Sequence, residues 1–463
     1  MRTDDIINLL KEAYRGFLNG DSAAYSADLA KSRQMIDESD VEAWVEGEWI
    51  LLDAMTHLRE LEWLIAALDR AVERMAGRRS LIFTSSTVFG FSSDSVFWAL
   101  LKNPGDADRN GALFRQVISR YNKLTGCGAG YPEFYQSELA YLRGDLANAR
   151  NLAYQAVYLA QSTGQSRLMV SAAKVIACIA LHNQDTVGWT FALGTVARAL
   201  KQSGSEYPML LNDIIVIRNE MLTRLNAWDE LPQWQKDGDF SVTYGENPLH
   251  MNYRVVDDPN IGAYDYPQAL WVHALYLLQT GQFSRALAAD AVQRMFGVER
   301  ELLVYQLYFC LLRGDCYLYQ GDRKRAFAEF CTAAEMVKPD GLWLVLTEFV
   351  PGSDGLILEA VKTTGGDVAA VRQTARNYAR NAKALKDAVS GRNIEKMLTA
   401  REAEVAKLAA TGMRNREIAE KLSVTEQTIK FHLSNVYSKL NVSNRSKLVK
   451  LMQVYTENYT KVQ

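Results

Sequence analysis

Apolar residues recur every three to four positions from Ile6 to about Leu385, and few stretches show the strict alternation that marks β-strands. This spacing places the apolar side chains on one face of each successive helix. Two longer stretches, 81–95 and 235–266, break the pattern with Ser, Gly, Pro, Asp and Asn, so we expect irregular connections there. The second stretch should join two halves of the body, although a lid over a ligand would have the same composition. The pattern predicts an all-α body.

A short local pattern occurs three times within this body. An Ala follows a Gly by five residues at Gly144, Gly281 and Gly321, each time after a helix rich in Leu, Tyr or Ala. A Gly at a helix end can take a left-handed conformation, and a small Ala lets the next helix pack closely. Gly20 opens a fourth copy, in which Tyr25 replaces the Ala. The interval between Gly281 and Gly321 is typical of helical-repeat arrays. The body thus resembles a degenerate tetratricopeptide-like solenoid, whose concave surface commonly binds peptides, proteins or small ligands.

Four further helices are predicted near the end of the chain. They should cover residues 399–411, 415–422, 426–440 and 445–455. The first opens with a capping box formed by Thr399 and Glu402, and Gly412 should end it. Thr425 is the expected N-cap of the third helix, and Ser443 that of the fourth.

The second and third of these helices are joined by a turn at residues 423–425. The apolar positions expected to pack the segment together are Val405, Leu408, Ile418, Ala419, Leu422, Val424, Ile429, Leu433, Val436 and Leu440. Small Ala419 lies where two helices joined by a short turn must approach closely. The arrangement predicts a helix-turn-helix, which presents its second helix to the major groove of DNA.

Charge is distributed unevenly along the chain. The 463 residues carry a formal net charge of -2. Residues 396–463 contain twelve Lys or Arg and six Asp or Glu, a net of +6, so residues 1–395 carry -8. A basic segment on an acidic body is typical of a DNA-binding module attached to a part that does not bind DNA. A charge of this size is also compatible with an ordinary solvated surface.

Other features limit the classes of function. The five cysteines show no CxxC and no metal-ligand spacing, which suits a reducing compartment. No signal peptide precedes the first amphipathic helix, and no apolar run approaches the roughly twenty residues of a membrane span. We therefore expect a cytoplasmic protein without membrane contact. Phosphate-binding loops, dinucleotide fingerprints and HExxH pairs are missing from the sequence, so we expect no catalytic residue, metal or cofactor.

The helix-turn-helix segment also carries a family pattern. Its members are Leu398, Thr399, Arg401, Glu402, Glu404, Val405, Gly412, Asn415, Glu417, Ile418, Ala419, Leu422, Val424, Thr428, Ile429, Lys430, His432, Asn435, Lys439, Leu440, Val442 and Arg445. This pattern closely resembles the LuxR-type DNA-binding domain of bacterial transcriptional regulators. Leu448 departs from it, because the family usually has Ala there, on the fourth helix that commonly forms the dimer contact.

The resemblance implies how the segment meets double-stranded DNA. The third helix would enter the major groove, with Lys430, Phe431 and Ser434 nearest the base edges. Lys suits the O6 and N7 atoms of guanine, and Phe suits a thymine methyl group. The residues implied to contact phosphates are Arg414, Arg416, Thr428, Asn435, Lys439 and Arg445. A homodimer on DNA is implied as well.

The body resembles, more loosely, the helical-repeat region of MalT-like LuxR regulators. Those proteins carry an N-terminal ATP-binding domain, for which this sequence shows no motif, so the resemblance implies no ATP-driven oligomerisation. The expected organisation is a helical-repeat sensor region (1–388), a linker (389–397) and a LuxR-type domain (398–463).

We expect a sequence-specific transcriptional regulator whose repeats receive an unknown small-molecule or protein effector. One alternative is an interaction adaptor whose helix-turn-helix no longer reads DNA directly. A second is an enzyme with a site in residues 235–266, although that stretch offers no nucleophile–base pair and no metal set.

Overall fold

The structure, a computed structural model, describes residues 2–18, 21–83, 95–202, 208–240, 265–295, 302–390, 398–439, 442 and 444–449. Within these ranges the secondary structure consists of helices and turns without β-strands, which confirms the all-α prediction. The chain divides into two compact units, residues 1–382 and 383–463. No helix in the described ranges is both long enough and apolar enough to span a bilayer.

The first unit is built from helices, most of which contact the next helix in the chain. They are α1 (Arg2–Leu18), α2 (Ser22–Asp37), α3 (Ala43–Asp53), α4 (Leu61–Met75), α5 (Val96–Leu100), α6 (Ala107–Thr125), α7 (Tyr131–Leu142), α8 (Leu146–Ser162), α9 (Ser166–Asn183), α10 (Thr186–Gln202), α11 (Pro208–Arg224), α12 (Gln233–Asp237), α13 (Asp265–Gln279), α14 (Phe283–Met295), α15 (Leu303–Tyr319), α16 (Arg323–Val337), α17 (Leu344–Thr347), α18 (Leu356–Thr363) and α19 (Val368–Ser390). Short 3₁₀ helices lie at Ala54–His57, Trp228–Glu230 and Val350–Gly352.

The repeated Gly–Ala pattern forms the turns between paired helices, as predicted. Gly144, Gly281 and Gly321 all have positive φ, of 87°, 75° and 83°, and each follows the end of a helix. The three partner alanines are fully buried against the preceding helix. Asp145 and Asp322 cap the second helices, because their side chains accept the amides of Asn148 and Arg325.

Two further turns depart from the sequence pattern. Gln184 takes the left-handed conformation (φ 53°) between α9 and α10, so a turn of this kind forms there without Gly. Gly20 lies outside the described residues, but Asp21 caps α2 through the amide of Ala24. Tyr25 fills the Ala position, is 1% exposed, and donates its hydroxyl to the carbonyl of Leu52.

One helix of each successive pair belongs to an inner layer. Helices α7, α9, α11, α13 and α15 contact one another in this order, and α17 contacts α7. The segment before α17 also returns to the start of α6, where Asp340 accepts the amides of Gly105 (2.6 Å) and Ala107 (3.0 Å). The carbonyl of Asp340 accepts from Arg143 Nε at 2.9 Å. The last repeats are therefore tied to the helices in the middle of the unit.

Several predicted boundaries change. Between α16 and α18 only Leu344–Thr347 is α-helical, and the 3₁₀ turn Val350–Gly352 follows it. The stretch 235–266 begins inside α12 and ends inside α13, and its residues 241–264 lie outside the described ranges, as do residues 84–94 of the stretch 81–95. Helix α19 continues to Ser390, two residues into the expected linker, and residues 391–397 are not described.

The second unit contains α20 (Ala400–Ala410), α21 (Asn415–Lys421), α22 (Glu426–Lys439) and a helical turn at residues 445–449. Its core is formed by Leu398, Val405, Ala406, Ala409, Ile418, Ala419, Ile429, Leu433, Val436 and Leu448. Leu408, Leu422 and Val424 pack against this core half-buried, and Leu440 lies outside the described residues. The apolar stripes of the sequence therefore face one another as predicted.

Candidate nucleic-acid interface

The first helix of the second unit begins with the predicted capping box. The Thr399 side chain accepts the amide of Glu402, and the Glu402 carboxylate accepts the amide of Thr399 at 2.8 Å. Lys439 Nζ, at the end of α22, lies 2.6 Å from the same carboxylate. The hydrogen bond from Lys439, helped by the Thr399 amide, lowers the pKa of Glu402 below its ordinary value. This carboxylate thereby ties the start of α20 to the end of α22.

The turn between α21 and α22 is fixed by local hydrogen bonds. Ser423 has a φ of 53°, in the left-handed region, which reverses the chain after α21. Thr425 Oγ1 accepts the amide of Thr428 at 3.1 Å, so the predicted N-cap of α22 is formed. Arg401 Nη2 donates to the carbonyl of Leu422 at 2.8 Å. These contacts set the angle at which α22 leaves the turn.

Helix α22 has one buried and one exposed face. Ile429, Leu433 and Val436 are buried in the core. On the opposite face, Gln427, Lys430, Phe431 and Ser434 are all exposed. Their spacing of three and four residues places them in one strip, which we call the recognition strip. Gln427 was not among the predicted site residues. Its position three and four residues before Lys430 and Phe431 would have indicated that it lies on the same face of the helix.

Two side chains of the recognition strip are available to a partner. Phe431 is 64% exposed, so most of its ring is open to a partner. Lys430 pairs with Glu426 at 3.2 Å, but both side chains are about half exposed. Exposed pairs of this kind contribute little to stability, so Lys430 can leave Glu426 at small cost.

The predicted phosphate-contacting residues fall into two groups. The first group lies at the start of α21 and along α22 and includes Arg414, Arg416, Thr428 and Asn435. Arg414 is exposed and Arg416 is 82% exposed, with Arg416 Nε 3.1 Å from Glu420. Thr428 and Asn435 are half-buried on α22. These side chains lie at the surface, where a DNA backbone can reach them.

The second group, Lys439 and Arg445, already has protein partners. Arg445 Nη1 donates to Asn415 Oδ1 at 3.0 Å, and its Nη2 donates to the carbonyls of Ala409 and Met413. Lys439 holds the Glu402 carboxylate. Both cations therefore join parts of the domain to each other, whether or not they also meet phosphate.

The start of the fourth helix differs in detail from the prediction. Asn444 Oδ1 accepts the amide of Lys447 at 3.0 Å, as an N-cap does, whereas Ser443 lies outside the described residues. Leu448 is fully buried in the core of its own domain. The side chain that departs from the family pattern therefore stabilises this domain from inside. The predicted residues 450–455 of this helix are not described.

Comparison with known proteins agrees with this geometry. Residues 396–452 match the family described as bacterial regulatory proteins, luxR family. The chain is 40% identical over 57 residues to the HTH-type transcriptional regulator AlkS of Alcanivorax borkumensis, covering 12% of this chain and 6% of AlkS. It is 53% identical over 49 residues to the transcriptional regulatory protein LnrK of Bacillus subtilis, covering 11% and 22%. It is 34% identical over 122 residues to the response regulator protein VraR of Staphylococcus aureus, covering 23% and 57%.

The second unit thus carries a LuxR-type helix-turn-helix domain, the domain class of transcriptional regulators. The chain spans less than two thirds of the length of each of these relatives. No solved structure matches the chain.

Proposed function

We propose that this protein is a sequence-specific DNA-binding transcriptional regulator whose helical-repeat unit receives an effector. The observation that carries the proposal is the recognition strip on the third helix of a LuxR-type domain. Helix-turn-helix domains present that surface to the major groove. A bacterial regulator of chromosomal DNA would act in the cytoplasm, and we propose this location and a homodimer on DNA.

Within this proposal the recognition strip reads bases. Lys430 would donate to guanine, Phe431 would contact a thymine methyl group, and Ser434 can donate or accept. Gln427, one turn earlier, offers an amide that suits adenine. Arg414, Arg416, Thr428 and Asn435 would hold phosphates and fix the register without specifying sequence. Lys439 and Arg445 would act there mainly by keeping the helices in place.

The direct-readout proposal is tested with Lys430→Ala. A preferred site is first selected from a random DNA library with the wild-type protein, and affinity for it is then measured by gel shift. Loss of one base contact should weaken binding by about tenfold, since a good base contact contributes roughly 1–3 kcal/mol. Lys362→Ala, an exposed Lys on α18, removes the same charge far along the chain and should leave affinity unchanged. Equal affinity of Lys430→Ala and wild type would refute direct readout and favour an adaptor.

A series of side-chain contacts from α7 through α9 to α19 supports the proposal that the repeat unit receives an effector. The Tyr141 hydroxyl lies 3.4 Å from His182 Nε2, and the His182 ring lies 4.8 Å from that of Tyr378 on α19. Asn381, also on α19, donates to the carbonyl of His182 at 2.5 Å. Helix α19 precedes the LuxR-type domain in the chain. A change around Tyr141 can therefore shift the packing of the helix that leads to that domain.

This series of contacts is tested by DNA affinity measured with fluorescence anisotropy. Tyr378→Ala should change the affinity of the full chain about threefold or more, in the range seen for coupled positions. Tyr378→Phe keeps the ring against His182 and should behave as wild type. If both variants bind DNA as wild type does, the contacts of α19 with His182 are not coupled to DNA binding.

A further inference from the structure

A cavity of about 70 Å³ lies among the inner helices of the repeat unit. Helices α7, α9, α11, α13 and α15 all contribute side chains to it, and so do α5 and α17. At roughly 10–15 Å³ for each water molecule, it has room for about five waters or for several heavy atoms of a ligand. The cavity is thus a place where one small molecule would contact most of the inner layer.

The charges around the cavity do not balance. Two cations, Lys174 and Arg224, line it together with three glutamates, Glu138, Glu220 and Glu348. If all five groups are ionised, the cavity carries a net charge of -1. Buried charge is costly unless it is paired, so the third carboxylate can ionise at small cost only when a cation enters the cavity with it.

Lys174 and Arg224 both form ion pairs with Glu220, and Arg224 forms a second one with Glu348. Arg224 Nε donates to Glu220 at 2.9 Å, and Arg224 Nη1 donates to Glu348. Lys174 Nζ lies 3.5 Å from the other Glu220 oxygen, which also accepts from Gln268 at 3.0 Å. Burial opposes ionisation of Glu220, but Lys174 and Arg224 outweigh it and lower the pKa to about 2. These four charged groups form one hydrogen-bonded cluster.

Glu138 is the remaining carboxylate. It is 5% exposed and has no ion-pair partner among the described residues. One of its oxygens accepts the amide of Phe97 at 3.1 Å, at the start of α5. Burial raises the pKa of Glu138 to about 8, although hydrogen bonds from Ser95 and from the α5 amides oppose the shift. Without a cation the Glu138 carboxyl therefore keeps its proton at neutral pH, and an incoming cation would stabilise its ionised form.

Aromatic side chains form much of the remaining wall. Trp98, Tyr141, Trp271 and Tyr308 all line the cavity, and the rings of Trp271 and Tyr308 stack 4.6 Å apart. Arg224 Cζ already lies 5.8 Å from the centre of the Tyr308 ring, and aromatic rings attract organic cations in the same way. Trp271 is 2% exposed and its indole Nε1–H, although buried, has no hydrogen-bond acceptor. A ligand with an acceptor atom would satisfy this donor.

We propose that the cavity binds a small organic ammonium ion that also carries a hydroxyl or carbonyl oxygen. Glu138 would face the ammonium group, the aromatic rings would surround it, and Trp271 would donate to the oxygen. This inference specifies the effector of the proposed regulator, and its biological meaning rests on that proposed function. Binding itself does not depend on DNA.

The test is isothermal titration of the full-length protein, without DNA, using matched probes. Choline supplies an ammonium group and a hydroxyl. Its uncharged carbon isostere, 3,3-dimethylbutan-1-ol, has the same shape, and tetramethylammonium lacks the hydroxyl. We expect choline to bind about tenfold more tightly than the uncharged alcohol, and tetramethylammonium to bind between the two. This contrast needs no variant, so it does not depend on any substitution folding correctly.

Two variants assign the binding groups. Glu138→Gln keeps the shape and an acceptor for Phe97 but should remove the preference for choline over the alcohol. Glu335→Gln, an exposed glutamate on α16, should keep that preference. Trp271→Phe should make choline and tetramethylammonium bind alike.

The outcomes separate this inference from the regulatory function. Equal binding of choline and the alcohol, no choline binding at millimolar concentration, or an unchanged preference in Glu138→Gln would overturn the ammonium site. A failed gel shift would count against DNA recognition alone, because the titration contains no DNA.

Discussion

The two units place their polar groups in opposite ways. In the LuxR-type domain, the recognition strip projects polar and aromatic side chains outward from one helix over an apolar core. In the repeat unit, the charged groups Glu138 on α7 and Glu220 and Arg224 on α11 are buried and line a cavity. An outward strip can meet a large, charged partner such as DNA, whereas an inward cluster suits a small molecule that it can surround. The difference favours recognition of DNA by the LuxR-type domain and recognition of an effector by the repeat unit.

The largest expected effect on stability comes from removing Arg224 from the buried cluster that it forms with Glu220 and Glu348. Arg224→Ala leaves Glu220 and Glu348 buried without their shared cation, so the free energy of unfolding of the repeat unit should fall by about 3–5 kcal/mol. Urea unfolding followed by circular dichroism measures this loss. The matched control is Arg323→Ala, which removes an exposed ion pair with Asp354 and should cost less than about 1 kcal/mol. Similar losses in both variants would show that the cluster is not a special source of stability.

A smaller effect should distinguish an arginine that stabilises the second unit from one that is proposed to contact DNA. Arg445→Ala removes charged hydrogen bonds to three partners and should lower the stability of this unit by about 2 kcal/mol. Hydrogen exchange of the Val405 and Ile418 amides would report the loss. Arg416→Ala should leave that exchange unchanged but weaken DNA binding, because its side chain is 82% exposed. The reverse pattern would indicate that Arg445 contacts DNA and does not stabilise the unit.

A further comparison concerns the pH dependence of stability that two glutamates cause. The pKa of Glu138 is raised from 4.5 to about 8, so the folded state retains a proton that the unfolded chain loses. Its contribution to stability is therefore present below about pH 4.5 and is lost as the pH rises to about 8. The pKa of Glu402 is lowered, so its contribution is present above about pH 4.5 and is lost as the pH falls below that value.

The measurement is the urea midpoint of each unit across this pH range. Glu138→Gln should flatten the decline of the repeat unit between about pH 4.5 and 8, and Glu402→Gln should flatten the acid-side loss of the second unit. Profiles that run parallel to wild type in both variants would contradict the assignment of these shifts.

Prediction from the sequence succeeded where the determining residues are close together in the chain. The turns at Gly144 and Gly321, the Thr399 capping box and the Thr425 cap depend on a few neighbouring positions with restricted conformations, and all were predicted correctly. The turn at Gln184 was missed because a non-Gly residue adopts the left-handed conformation there. The DNA-contacting residues remain a prediction, since no DNA contact has been observed for them.

The cavity could not be predicted from the sequence for a physical reason. Glu138, Arg224 and Trp271 are separated by more than a hundred residues of chain in all, and only the stacking of inner helices brings them around one space. In the sequence, each is one polar or aromatic residue in an amphipathic helix. The same holds for Arg445, whose partners Ala409 and Met413 lie on the far side of the helix-turn-helix in the chain.

The contact of Asp340 with the start of α6 has a consequence for how this repeat unit can evolve. Open repeat arrays gain or lose copies at little cost, because each repeat touches only its neighbours. Here Asp340 bonds to Gly105 and Ala107 across the array, and Arg143 bonds back to Asp340. Duplication of one helix pair between α6 and α17 would move Asp340 away from Gly105, Ala107 and Arg143. A change in the number of repeats between α6 and α17 would therefore break these hydrogen bonds, whereas substitutions of side chains that line the interior would leave them in place.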